Sequence, residues 1–149
     1  GGAQLERIGA QGFLAGVGNY LRSEILFVAR LPPEARLADL DADARDRVAA
    51  AALGLTRQSY RTRGITNDLE RAAALKRSGL TFGRYRHHVF DRDGEPCWAC
   101  GTTVERRDVA GRAVFVCATC QTAASAACQP AACAPQAPSL GRRSRTQRR

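Results

Sequence analysis

The sequence predicts a mainly α-helical domain followed by a small β-hairpin organised by two cysteine pairs. Three observations carry that expectation. Apolar residues recur at helical spacing through the first half of the chain. Beyond residue 88 the pattern shortens to strand-like runs. Cys97-Trp98-Ala99-Cys100 and Cys117-Ala118-Thr119-Cys120 then repeat one C-x-x-C spacing, with sixteen residues between them.

Residues 5–31 read as two short helices punctuated by Gly12, Gly16 and Gly18. In the second, Leu21, Ile25 and Val28 fall at helical spacing, and Pro32-Pro33 ends it. Asp41 is the expected N-cap of a long helix to about Arg63, burying Val48, Ala52 and Leu55, with Gly64 as its stop. Asn67, with Glu70 three residues on, has the form of a capping box for a helix reaching Ser78, with Gly79 beyond. Strand-like runs follow at Val89-Phe90, Val104-Glu105-Arg106 and Arg112–Val116, and Gly111 lies in the turn between the last two. After Gln121 the chain is Ala, Pro, Ser, Thr, Gln and Arg without periodicity, which predicts disorder. The expected organisation is a helical domain over 1–88, a hairpin over 89–121 and an Arg-rich tail over 122–149.

The 149 residues suffice for one compact domain with a small attached module. No apolar run approaches a membrane span and no signal peptide precedes the fold, so the expected location is the cytoplasm, without membrane contact. Methionine is absent and the chain opens Gly1-Gly2, which reads as a fragment or a processed piece. The formal charge is +9, with a pI near 10.1. Residues 1–90 carry 14 basic and 9 acidic side chains, residues 91–120 carry 4 and 5, and residues 121–149 carry 5 and none. The balance points to a polyanionic partner, but the cysteine segment is no basic patch, so phosphate contacts there rest on individual residues. Lys76 is the single lysine, and arginine's planar fork suits bidentate phosphate contacts. A compositional bias towards Ala and Arg explains part of the charge.

Two C-x-x-C pairs at hairpin separation place four thiolates around one tetrahedral ion. Zinc suits a closed thiolate site, and iron satisfies the same geometry. Four thiolates leave no open coordination position, so the ion would be structural. Two disulfides are the competing reading, which a cytosolic setting disfavours. A redox C-x-x-C is another, and it lacks its usual βαβ setting. Cys128 and Cys133 are further candidate ligands but read as free thiols in the tail, and His87 and His88, also candidate ligands, read as ordinary surface or partly buried histidines because four cysteines already suffice.

Two segments together resemble the formamidopyrimidine-DNA glycosylase / endonuclease VIII family. Gln11 through Leu26, containing Gly16-Val17-Gly18-Asn19-Tyr20-Leu21-Arg22-Ser23-Glu24, is similar to that family's helix–two-turns–helix motif. Val89 through Cys97, then Gly111-Arg112, then Cys117–Gln121, resembles its C-terminal zinc finger. Ser59-Tyr60-Arg61-Thr62-Arg63-Gly64 is similar to the endonuclease VIII branch. The resemblance runs in order over roughly residues 5–121.

The resemblance implies a helix–two-turns–helix domain followed by a zinc hairpin, in a bifunctional DNA glycosylase and abasic-site lyase of base-excision repair. It implies one zinc on Cys97, Cys100, Cys117 and Cys120, and a monomer on double-stranded DNA with oxidised-base or abasic lesions, near the bacterial nucleoid. Asn19 with the Gly18 backbone matches the phosphate contact of the helical motif, and Arg112 matches the arginine that holds phosphates beside the flipped nucleotide. A helix N-terminus offers N–H groups to an anion, and an arginine on a stiff hairpin gives a directed, charge-assisted bond. Plainer readings make Asn19 an N-cap and Arg112 a solvated turn residue. Glu24 fits the motif as a residue that orients the helix, and the other arginines read as a general field. Ala118 stands where the family often has proline, and Ala10-Gln11 where it often has Asp-Gln. The family's nucleophile is a terminal proline amine beside a glutamate, and this chain starts Gly1-Gly2-Ala3, so no catalytic residue is expected in it. A zinc-ribbon-like adaptor, with RNA as its plausible partner, is the alternative, and Gly1 or Lys76 would be the amine of an active fragment.

Overall fold

The computed structural model describes residues 18–122. The first of the two short helices expected over 5–31 lies outside the described residues, as does the tail beyond Thr122 with Cys128 and Cys133. Four helices precede a two-stranded antiparallel sheet among the described residues: α1 (Asn19–Val28), α2 (Ala42–Thr62), α3 (Leu69–Arg77), α4 (Phe82–Tyr85), β1 (Glu105–Val109) and β2 (Arg112–Val116), with a 3₁₀ turn at Leu37–Asp39.

Helix α1 is the centre of the structure. All residues from Leu21 to Phe27 are buried, three of them polar: Arg22, Ser23 and Glu24. Val28, expected on the buried face, is 39 % exposed, and Leu26 and Phe27 are buried instead. The reason is that α1 is packed on nearly every side, so a one-stripe reading misplaces its inner face. The helix ends in a Schellman arrangement: Arg30 takes φ 61°, its N–H donates to Phe27 O, and Leu31 N–H donates to Leu26 O. Pro32 and Pro33 then prevent continuation.

Helix α2 matches the expected limits. Asp41 Oδ1 accepts from Ala44 N–H at 2.7 Å, capping the first turn. Arg63 and Gly64, both at positive φ, close the other end. Val48 and Leu55 are buried and Ala52 packs partly buried on the same core. The cap of α3 is one residue later than expected. Asp68, not Asn67, accepts from Arg71 N–H at 2.8 Å. Asn67 is buried, with its Nδ2 donating to Tyr85 O and its Oδ1 accepting from Asp68 N–H. Gly79 at φ 96° ends the helix.

Val89-Phe90 is not a strand. Both amides donate to Glu24 Oε1, at 2.8 and 2.9 Å, so a carboxylate takes the bonds a neighbouring strand would have supplied. Strands β1 and β2 pair from Glu105↔Val116 to Val109↔Arg112. Ala110 and Gly111, at φ 51° and 77°, form the two-residue turn, as a type I′ hairpin requires. On β2, Val114 and Val116 face a core of α1 and α2 side chains that includes Leu21, Ile25, Val48 and Leu55. Phe115 faces a second core of Phe27, Val89, Val104, Cys97, Cys117 and Cys120. Alternation along one strand thus joins the helices to the cysteine centre.

Candidate metal centre and nucleic-acid interface

Two knuckles bring the cysteines together. In the first, Gly101 N–H donates to Cys97 O at 2.9 Å, and Gly101 holds φ 78°, which a side chain would strain. In the second, Gln121 N–H donates to Cys117 O at 3.0 Å, while Gln121 Oε1 accepts from Cys117 N–H and its Nε2 donates to Leu31 O. Thr102 and Thr119 hydroxyls bridge the knuckles at 2.8 Å.

The ligand atoms of Cys97, Cys100, Cys117 and Cys120 lie within 4.8 Å of one another. Sγ of Cys97 is 3.9 Å from that of Cys120, and Cys100 is 3.4 Å from Cys117. Both are too long for a disulfide, whose S–S length is about 2.05 Å. Tetrahedral bonds of about 2.3 Å to a central ion give S···S edges of about 3.8 Å, so the four sulfurs fit a metal ion. Four thiolates this close also repel. A hydrogen bond from Cys120 draws the Cys97 thiol down to about 4, whereas burial pushes Cys117 up to about 11 and the bond to Cys97 pushes Cys120 up. A divalent cation offsets that repulsion and allows all four to ionise.

Arg112 stands exposed at the turn end of β2. The same strand is sewn to α1, because Phe115 N–H donates to Ser23 Oγ at 3.1 Å. The tip therefore sits beside the first half of α1. Burial, and then the Arg112 charge, lower the Arg22 guanidinium below its ordinary value. Asn19 is one turn before Arg22. It is the first helical residue, exposed, and the N-cap is Gly18, so among the described residues no side chain caps the first-turn N–H groups. No acidic residue occupies that first turn. A helix N-terminus, an arginine at a hairpin tip and a second, buried guanidinium thus converge on one side.

With this geometry, the comparisons are specific. No family model matches the chain. Endonuclease 8 of Shigella sonnei is 40 % identical over 111 residues, covering 74 % of this chain and 39 % of that protein. Endonuclease 8 of Klebsiella pneumoniae gives the same identity and coverage. Among solved structures, the MutM (Fpg) protein of Thermus thermophilus matches with TM-score 0.58 and 37 % identity, over 74 % of this chain and 41 % of that one. The Lactococcus lactis Fpg, solved with abasic-site DNA, matches with TM-score 0.57 and 25 % identity, over 75 % and 39 %. The chain belongs to the formamidopyrimidine-DNA glycosylase / endonuclease VIII family. It spans about two fifths of the length of the curated relatives it matches.

In this family member three polar residues carry more than their local sequence announces. Glu24 is wholly buried and accepts four hydrogen bonds: from Thr66 Oγ1 at 2.7 Å and from the amides of His88, Val89 and Phe90 at 2.8, 2.8 and 2.9 Å. These bonds tie α1 to the 88–90 segment, which is more than the helix-orienting role expected of it. Arg92, expected to belong to a general field, is 2 % exposed and bonded on three sides. His87 is fully buried, deeper than the surface or partly buried position expected of it, its Nδ1 2.8 Å from Thr66 Oγ1, and burial lowers it to about 4. His88 is lowered by burial too. Neither histidine joins the cysteines. Besides its place in the helical motif, the sequence signal for Glu24 is an acid flanked by Leu21, Ile25 and Leu26.

Proposed function

We propose that these residues are the damaged-DNA-gripping part of a base-excision-repair DNA glycosylase and abasic-site lyase of the endonuclease VIII kind. The proposed targets are oxidised bases and abasic sites in double-stranded DNA. The observation that carries the reading is the placement of Arg112 beside the N-terminal half of α1, where Gly18 and Asn19 leave N–H groups for a phosphate. The abasic-site DNA bound by the Lactococcus lactis relative supports the same substrate class. Such enzymes extrude the target nucleotide, which is easiest where pairing is already lost.

In this reading Cys97, Cys100, Cys117 and Cys120 hold one structural zinc, which stiffens the hairpin that aims Arg112. Residues 1–88 supply the helical phosphate contact, residues 89–121 the zinc hairpin, and residues 122–149 a basic tail that adds salt-sensitive affinity. The protein acts as a monomer in the cytoplasm, on the nucleoid. No helix among the described residues is long and apolar enough to cross a membrane.

These 149 residues are proposed to bind without cutting. The family's nucleophile is a proline with a free amine, and the Pro-Glu pair present here, Pro33-Glu34, is internal, its nitrogen tied up in an amide. Borohydride trapping on a duplex with one abasic site tests this. The expected result is a retarded complex with no covalent adduct. An adduct would show that the Gly1 amine or Lys76 attacks the sugar, and equal retention of an intact duplex would favour a plain nucleic-acid adaptor.

A further inference from the structure

Arg92 sits between the two halves of the proposed grip. Its Nη2 donates to Pro96 O at 2.7 Å, one residue before the first cysteine of the cluster. Its Nη1 donates to His88 O at 2.6 Å, and the amide of that same His88 donates to Glu24 Oε2 on α1 at 2.8 Å. Its Nε donates to Glu95 Oε2 at 3.1 Å, and the other Glu95 oxygen pairs with Arg84 of α4. Above the guanidinium plane, at 4.0 Å, lies the ring of Trp98, the residue after Cys97. The group is 2 % exposed, and burial draws it down to about 10.

A guanidinium can be this deep because every side of it is answered: two carbonyls, one carboxylate and one aromatic face. What it joins matters more than its satisfaction. A path of hydrogen bonds runs from Glu24 on α1 to the His88 N–H, across the His88 backbone to its carbonyl, through Arg92, to the Pro96 carbonyl and so to Cys97. The helix that presents Asn19 and the knuckle that starts the Arg112 hairpin are thereby fixed to one rigid group.

We propose that Arg92 is a positioning residue for DNA binding: it holds the cysteine knuckle in register with α1, so that Arg112 and Asn19 keep the spacing two phosphates demand. The inference rests on the proposed DNA grip only for its consequence, and the coupling itself is testable without DNA. Lysine keeps the charge but offers a point in place of the fork, so it cannot reach His88 O, Pro96 O and Glu95 together.

Two measurements on the zinc-loaded chain decide it. The first is amide hydrogen exchange in Arg92→Lys. The coupling predicts faster exchange, by about tenfold or more, at both ends: Val89 and Phe90 on Glu24, and Cys97 and Gly101 in the knuckle. Acceleration at one end alone overturns the coupling, whatever the DNA result. The second is a double-mutant cycle on abasic duplex. Arg92→Lys is expected to weaken binding about tenfold in the wild-type background and hardly at all in Arg112→Ala, because it acts through Arg112. Additive losses overturn the positioning role. If the unaltered chain fails to prefer the abasic duplex, the proposed function falls while the exchange result still decides the coupling.

Discussion

Glu24 is the residue whose removal should cost the fold most per atom. Glu24→Ala takes away the acceptor of three backbone amides, those of His88, Val89 and Phe90, and one partner of the Thr66 hydroxyl, which keeps Arg86 O and His87 Nδ1. Each stranded donor costs about 1–3 kcal/mol, so the total is on the order of 6 kcal/mol, comparable with the whole stability of a small domain. Glu24→Gln is the informative substitution because it keeps the shape. Either orientation of the new amide turns an NH₂ towards at least one backbone N–H, because Oε1 serves two amides and Oε2 serves a third. One lost acceptor and the loss of charge on the others together give a cost of about 3 kcal/mol. Urea unfolding of the zinc-loaded chain measures it, read by the fluorescence of Trp98, the single tryptophan. With a slope of about 1–3 kcal/mol per molar urea, the midpoint should fall by about 1–3 M. A Glu24→Gln midpoint equal to wild type would refute the claim that this carboxylate holds the 88–90 segment to α1.

Other expectations follow from the same geometry. Arg112→Ala should weaken binding to abasic duplex by roughly tenfold or more and lower the slope of log K against log salt by about 0.9, with thermal unfolding unchanged, because the side chain is exposed. Chelation of the metal should abolish the slow exchange of the hairpin amides while α2 persists in circular dichroism. Ala110→Asn should raise stability by about 0.5–1 kcal/mol in the same urea assay, since Ala110 holds φ 51° in a turn that prefers Asn-Gly. His87 gives a pH dependence of known sign. Its folded value, about 4, lies below the ordinary 6.5, so the unfolded chain takes up the proton first as pH falls. Stability should be complete above pH 6.5 and fall by on the order of 2 kcal/mol by pH 5, and His87→Asn should flatten that dependence.

What could be read from the sequence was local. The Asp41 cap, the Arg63-Gly64 stop, the Gly111 turn and the paired C-x-x-C spacing each depend on a few adjacent residues, and each is where expected. The misplacements share a different cause. Val89-Phe90 has strand-like residues, but its amides are claimed by a carboxylate 65 and 66 positions away. Asn67 looked like a cap because Asx residues before Glu usually are, yet its side chain is spent on Tyr85 O, and Asp68 caps instead. Val28 follows the helical stripe of Leu21 and Ile25, but the chain packs around the other face as well. Arg92 and His87 lie in a segment whose composition suggests surface, and only the three-dimensional arrangement reveals that they are enclosed. Periodicity reports one face of an element, and polar residues buried by distant partners escape it.

The most direct test of the central claim is the affinity of the zinc-loaded chain for a duplex with one abasic site against the same duplex intact, both at about 0.15 M salt, where phosphate contacts are already partly screened. A clear preference for the abasic duplex is expected, lost on removing the metal and reduced in Arg112→Ala. Equal affinity for both duplexes, or a preference that survives loss of the metal, would contradict it.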